Sequence, residues 1–315
     1  MSDYIKPHSL SVGYNLTGQP FFDLLKKYEE YIHSYFFSFT DTMRCNPLSE
    51  IETIKLISTS DTYGIPSNLL LNSYNSEREY KKLVPLANKI SNLYGVTILS
   101  PELAQNVKEL YSDLEIHLSV RYFDWAPYTD AHSRLKELID SGYLQYIDVI
   151  NISGARSFTD HELIKNIHSN SIMVKLILNE GCIQNRSLNF TQFDKFKNSN
   201  CHSASCNKKC KDVMKRYNWM ELSRINMFKE MLEYYNLDIL KLSTRDIPDN
   251  NYIESLLKYW TSSEKTKYLD SWFHTINVQD NYQTFLDYIF DRSNCDGYCN
   301  QCRKCEIYYN KLLKK

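Results

Sequence analysis

The sequence predicts an α/β fold: a (β/α)8 barrel of the TIM type, followed by a short cysteine-rich extension. Three observations carry this. Eight short runs rich in Val, Ile and Leu alternate with stretches of helical spacing. These runs are apolar on both faces, as parallel strands covered by helices are. The 315 residues hold one barrel of about 250 residues with a segment to spare. The expected division is a barrel domain over residues 1–260 and an extension over 261–315.

The elements follow in order. Leu10–Leu16 is the first strand. Phe21–Tyr31 has helical spacing, with Phe22, Leu25, Tyr28 and Ile32 on one face. Ser34–Phe39 is the second strand, and Cys45 lies in the loop after it. Asn68–Ser73 is the third strand, followed by an amphipathic helix over Ser76–Tyr94. Val96–Leu99 is the fourth. Ser100-Pro101 then starts a helix that runs to Tyr111, with Pro at the first helical position. Leu114–Arg121 is the fifth strand. Ala131–Gly142 is a helix ended by its glycine. Tyr146–Ser153 is the sixth strand, and Thr159-x-x-Glu162 is a capping box that opens the next helix. Ile172–Glu180 is the seventh strand. Glu221–Tyr235 is helical, Asp238–Arg245 is the eighth strand, and Asp249–Tyr259 is a helix. In such a barrel the active site lies at the carboxyl ends of the strands. This register puts Cys45, Ser100, Arg121, Ser153, Glu180, Cys182 and Arg245 there.

Composition narrows the function classes. The net charge of −1 and pI of about 6.7 argue against a dominant nucleic-acid surface, which is basic. No stretch reaches the ~18 apolar residues of a membrane span. The start, MSDYIKPHSL, lacks the charged-then-apolar pattern of a signal peptide. A cytoplasmic protein is expected, in which thiols stay reduced. Its nine cysteines then point to metal or iron–sulfur ligation and not to disulfides.

Two groups of cysteines carry that chemistry. Cys182, Cys201, Cys206 and Cys210 lie within 29 residues, and the first follows a strand. The gap after Cys182 is wide, so Cys45 is an alternative to Cys201 as fourth ligand. The second group is Cys295, Cys299, Cys302 and Cys305, spaced C-x3-C-x2-C-x2-C. Such gaps let successive turns converge on one centre. Four thiolates suit a four-cysteine zinc site or a [4Fe–4S] cluster, and the compact run is closer to ferredoxin-like spacing. Two [4Fe–4S] clusters are expected, with zinc at the carboxyl-terminal motif as the alternative.

Other candidates are single residues. Glu180 at a strand end suits general-base work or a substrate amine. Arg245 is placed to hold an anion by bidentate contacts, and Arg121 and Arg156 are weaker copies of the same argument. His117 alternates inward within a strand, as a satisfied core histidine does. His161 and His202 read as surface or loop residues, with His202 a substitute ligand beside Cys201. The sequence has no G-x-x-x-x-G-K-[ST], G-x-G-x-x-G, H-E-x-x-H or G-x-S-x-G. It also lacks an amino-terminal C-x3-C-x2-C, the cluster loop of radical S-adenosylmethionine enzymes.

The segments YGVTILSPELAQNVKELYSDLEIHLSV, YIDVINIS, IMVKLILNEGC and LDILKLSTRDIP resemble the peptidase U32 (collagenase-like) family. The resemblance covers Val96 to Tyr259, and NEGC with its downstream cysteines is its most specific part. It implies a TIM-barrel-like core holding a [4Fe–4S] cluster, with Cys182, Cys206 and Cys210 as ligands. Ubiquinone-biosynthesis members draw a ligand from an early loop, as Cys45 would be. Several members take part in oxygen-independent hydroxylation of tRNA, rRNA or a quinone precursor. Two departures stand out: the chain stops soon after the barrel, and the carboxyl-terminal quartet lies outside the family pattern. The expected function is an iron–sulfur enzyme that modifies a small-molecule, peptide or RNA substrate. In it Glu180 handles protons, Arg245 binds an anion, and an electron-donor or partner protein is implied. The alternatives are a U32-type peptidase, for which the sequence offers no hydrolytic triad, and a non-catalytic iron–sulfur partner subunit.

Overall fold

The computed structural model describes residues 8–38, 48–71, 76–89, 92–123, 131–153, 161–177, 237–242, 244, 249–262, 280–281, 283–284, 287–288 and 304–313. Eight strands run in the order β1 (Leu10–Gly13), β2 (Ile32–Ser38), β3 (Ser67–Leu71), β4 (Gly95–Ile98), β5 (Glu115–Leu118), β6 (Val149–Ser153), β7 (Met173–Ile177) and β8 (Ile239–Leu242). Each pairs in parallel with the next, and β1 pairs with β8 to close the barrel. The (β/α)8 fold class is therefore established. Parallel neighbours need a crossover. Among the described residues these crossovers carry α1 (Gln19–Lys26), α2 (Glu50–Thr62), α3 (Ser76–Ala87), α4 (Pro101–Leu110), α5 (Val120–Phe123), α6 (Ala131–Asp140) and α7 (His161–Ser169). After β8 come α8 (Asn250–Thr261) and α9 (Lys304–Leu312).

Successive strand residues face opposite sides, and here the two sides differ in chemistry. One set, including Val12, Tyr35, Leu69, Ile116, Ile150 and Val174, belongs to the apolar cluster shared with the helices. Phe21, Phe22, Leu103, Val107, Leu163 and Ile167 fill that cluster from the helix side. Tyr288, Tyr309 and Leu312 join the same cluster from beyond α8. The other set faces the barrel axis and is mixed: buried Ser11, Ser34, Asn68, Thr97, His117, Asn151, Lys175 and Lys241 alternate with the outward set, together with the apolar Phe36, Leu70, Val149, Ile177 and Ile239. A barrel interior is ordinarily filled by branched apolar side chains. This one also holds a set of hydrogen-bonding groups.

Local sequence explains most boundaries. Ser100 caps α4, its Oγ accepting from the Leu103 amide at 3.2 Å, which is a structural role for a residue expected at the barrel mouth. Gly142, after α6, takes the left-handed conformation at φ 76°, as expected of a helix-ending glycine. Helix α2 lies in a segment where no element is expected. Its signal is nonetheless present, because Ser49 and Glu52 form a reciprocal capping box. Strand β5 is shorter than expected. Its ladder stops at Leu118; the Ser119 amide donates to Ile98 O at 2.7 Å, and the Tyr122 amide then turns back to Ser119 O at 2.9 Å. Arg121 thus lies on α5 and not on a strand.

Two aspartates fix the amino-terminal ends of β5 and β7 in the same way. Asp148 accepts from the Ile116 amide at 2.7 Å and from Lys108 Nζ at 2.9 Å. Asp238 accepts from the Val174 amide at 2.8 Å and from His168 Nε2 at 2.9 Å. Each supplies a charged acceptor to a strand-end amide. On β2, Leu10 pairs with Ile32 but Ser11 pairs with Ser34, so His33 is a bulged residue. A bulge re-aims side chains, and His33 reaches Glu115 on β5, with β3 and β4 between. Among the described residues no helix is long and apolar enough to cross a membrane.

Gly95 permits the close approach of β3, β4 and β5. A Cβ there would stand 2.8 Å from Glu115 O and 3.0 Å from Asn68 Nδ2. Gly95→Ala should destabilise the barrel by roughly 1–3 kcal/mol, the usual cost of overpacking, measured by urea denaturation at pH 7.

Candidate functional site

The described part of the interior holds a connected polar chain. At its outer end is Glu115, the first residue of β5. Its Oε1 accepts from His33 Nε2 at 3.3 Å and from His117 Nε2, and its Oε2 accepts from Tyr94 Oη at 3.1 Å. His117 is fully buried two residues further along the strand. Its Nδ1 lies 3.4 Å from Lys175 Nζ on β7. Strand β6 lies between β5 and β7, so this contact is made across the barrel interior. The geometry fixes the tautomer: Nε2–H donates to the Glu115 carboxylate, and Nδ1 accepts from the amine.

Electrostatics follow from burial. Lys175 is 1% exposed, and burial lowers its amine pKa to about 7, against a raising influence from Glu115. Burial and then the nearby Lys175 charge lower His117 to about 3, so its imidazole is neutral. Burial alone would raise the Glu115 carboxyl. The hydrogen bonds from His117 and His33 outweigh it and hold Glu115 well below the usual carboxylate range. Burial, with the Glu115 charge, pushes the Tyr94 phenol up to about 12.

Around this chain the interior continues polar. Thr97 Oγ1 donates to Asn68 Oδ1 at 2.6 Å, and Ser11 and Ser34 hydroxyls are 3.3 Å apart. Asn151 pairs with Lys175 in register and donates to Leu118 O at 2.8 Å. Among the described residues Asn151 Oδ1 and Asn68 Nδ2 are buried with no hydrogen-bond partner. Lys241 on β8 places Nζ 4.2 Å from the centroid of the Phe36 ring, a cation–π contact.

Most of the residues singled out by sequence are not among the described residues. Cys45, Arg156, Glu180, Cys182, Cys201, His202, Cys206, Cys210, Arg245, Cys295, Cys299 and Cys302 lie outside the described residues. So do the side chains of Arg121, Ser153, His161 and Cys305, whose backbones belong to α5, β6, α7 and α9. His117 is buried within the barrel, as expected, and is one link of the polar chain. Lys175, Glu115, His33, Asn151 and Lys241 were not anticipated. Their signal was the period of two: IMVKLIL and DILKLS each put a lysine in mid-strand, on the face opposite the apolar set. Among the described residues no group of three or more His, Cys, Asp or Glu is placed to hold a metal ion.

No family model matches the chain, and no curated protein matches it. Solved structures similar to it include a U32 peptidase, at 11% identity and TM-score 0.43, covering 64% of this chain and 80% of that one. Another is phosphoribosyl anthranilate isomerase from Thermococcus kodakaraensis, at 11% identity and TM-score 0.46, covering 81% and 99%. A third is a putative dihydrodipicolinate synthase family protein from Coccidioides immitis, at 7% identity and TM-score 0.47, covering 99% and 86%.

The chain makes stability depend on acid pH. The folded pKa values of Glu115 and His117 both lie below their ordinary values. The unfolded chain therefore binds more protons at these sites, and stability falls as pH drops from 6.5 toward 3. Denaturant unfolding across that window should show a loss of a few kcal/mol. His117→Gln should flatten the part between pH 6.5 and 4.5, where the Glu115 contribution is not yet lost.

Proposed function

We propose that this chain is an iron–sulfur enzyme on a (β/α)8 barrel, modifying a small-molecule, peptide or RNA-borne substrate by oxygen-independent hydroxylation or a related reaction. The observation that carries this reading joins the closed parallel topology to the sequence. All eight strands run in parallel, so β2 and β7 end on the same rim. Cys45 follows the end of β2 by seven residues, and Cys182 follows the end of β7 by five. Both cysteines thus follow closely in sequence on the strand ends at which barrels carry their chemistry, and this proximity along the chain supports the reading. Cys201, Cys206 and Cys210 follow in the connection from β7 to β8, which spans residues 178–238. Long connections in compact domains are commonly functional.

The donor set fits the group in kind. Thiolates are the ligands of iron–sulfur clusters, and Cys182, Cys206 and Cys210 with Cys201 or Cys45 would hold one. Cys295, Cys299, Cys302 and Cys305 would hold a second, auxiliary one. A bound cluster supplies one-electron transfer. The residues of the chain have the remaining work. Glu180 follows β7 by three residues and would take or give a proton. Arg245 follows β8 by three residues and would hold a carboxylate or phosphate through its planar fork. Lys241, on the interior face of β8, adds positive charge on the same strand.

Anaerobic purification with iron and sulfide analysis tests the reading. Roughly eight iron with matching sulfide per chain is expected for two four-iron clusters. Cys182→Ser should lose one cluster's absorbance and keep the other. Zinc without sulfide in both groups would overturn the redox function.

A further inference from the structure

We infer that Lys175, His117 and Glu115 form a proton-transfer chain through the floor of the barrel, joining solvent at the amino-terminal face to an amine in the interior. It deepens the proposed function and rests on that reading for its purpose, since hydroxylation of a substrate moves protons together with electrons.

The links are in place. Lys175 Nζ is 3.4 Å from His117 Nδ1. His117 Nε2 is hydrogen-bonded to Glu115 Oε1. Glu115 is the outward end: its side chain is 13% exposed. Its other oxygen accepts from Tyr94, an exposed residue, at 3.1 Å. The imidazole stands between an amine and a carboxylate with one nitrogen toward each, as relay through histidine requires. The step balances. Lys175 passes a proton to Nδ1 as Nε2 passes its own to Glu115. The ammonium and carboxylate become a neutral amine and a neutral acid, and the imidazole stays neutral as its other tautomer. Glu115 then exchanges its proton at the solvent side, and the reverse sequence recharges Lys175.

Two further observations distinguish this from an inert core. Among the described residues the charged and titratable groups around Lys175 are Glu115 and His117 from β5, His33 from β2 and Lys241 from β8, with Tyr94 beside Glu115. None of these is a carboxylate in direct contact with the amine. A buried lysine kept only for structure is ordinarily paired with one. The interior end also adjoins an unsatisfied acceptor. Asn151 faces the axis beside Lys175 in register, and its Oδ1 is buried without a partner.

The test is carbon NMR of the purified protein labelled at lysine Cε. The Lys175 resonance is assigned by its loss in Lys175→Met. It should titrate near neutral pH as a single averaged signal, although the residue is shielded from solvent. In His117→Gln, which keeps hydrogen bonding but carries no proton across the ring, averaging should fail: two resonances, or one broadened beyond detection, mark the transition. Glu115→Gln provides the same comparison should the first variant not fold. A Lys175 that stays an ammonium to pH 9, or wild-type averaging in both variants, overturns the chain. Iron and sulfide are counted on the same sample. A titrating Lys175 in protein without a cluster keeps the chain and removes the iron–sulfur reading, whereas a loaded protein with a silent Lys175 does the reverse.

Discussion

A lysine amine buried inside a closed barrel is the constraint on which the rest of this molecule depends. An ammonium taken out of water loses several kcal/mol of solvation after relaxation. Among the described residues the Lys175 amine meets an imidazole and no carboxylate. That imidazole must offer a lone pair, so its other nitrogen must donate, and Glu115 is there to accept. Glu115 in turn needs donors, supplied by the bulged His33 and by Tyr94. Gly95 leaves room for the Glu115 backbone against β4. Asp148 and Asp238 tie down the amino ends of the two strands that carry His117 and Lys175. Each feature follows from the one before it.

The barrel was legible in the sequence, because the outward strand faces are apolar and that signal survives in a single chain. Val12, Leu69, Ile116 and Val174 all stand on the face that packs against helices. The start of α4 at Ser100-Pro101, the turn at Gly142 and the cap at Asp249 are side-chain and backbone chemistry that local sequence states directly. The inward face was harder to read. A strand with a mid-strand lysine reads as buried and parallel, and periodicity alone does not say what an inward lysine meets. Lys175 and His117 are 58 residues apart, and only barrel closure brings them together. Helix α2 is hard to read from sequence because its apolar stripe is weak, and the capping box of Ser49 and Glu52 is its stronger signal. Strand β5 reads longer from sequence because Val120 has strand propensity, whereas the bond from the Tyr122 amide back to Ser119 O turns the chain into α5.

The polar chain and the proposed cysteine ligands are separate features of the sequence: under the proposed function, Cys45 and Cys182, which follow β2 and β7 in the chain, would serve the carboxyl ends of the strands, where barrels carry their chemistry. The polar chain lies at the amino-terminal end, where a barrel ordinarily invests in stability. A cluster site on one rim and a proton route through the floor would then be independent parts of one enzyme, open to separate disruption.

The central claim is that the Lys175 amine gives up its proton near neutral pH within the barrel. A folded pKa lowered to about 7 means that the unfolded chain binds more protons above that pH. Stability should then rise with pH until the unfolded amine titrates. The direct measurement is denaturant unfolding of the wild type and Lys175→Met from pH 6 to 9.5. The wild type should gain on the order of 3 kcal/mol relative to the variant between pH 7 and 9.5, with no relative change below 7. A difference that stays constant across the whole range would show an ordinary, charged lysine and contradict the account.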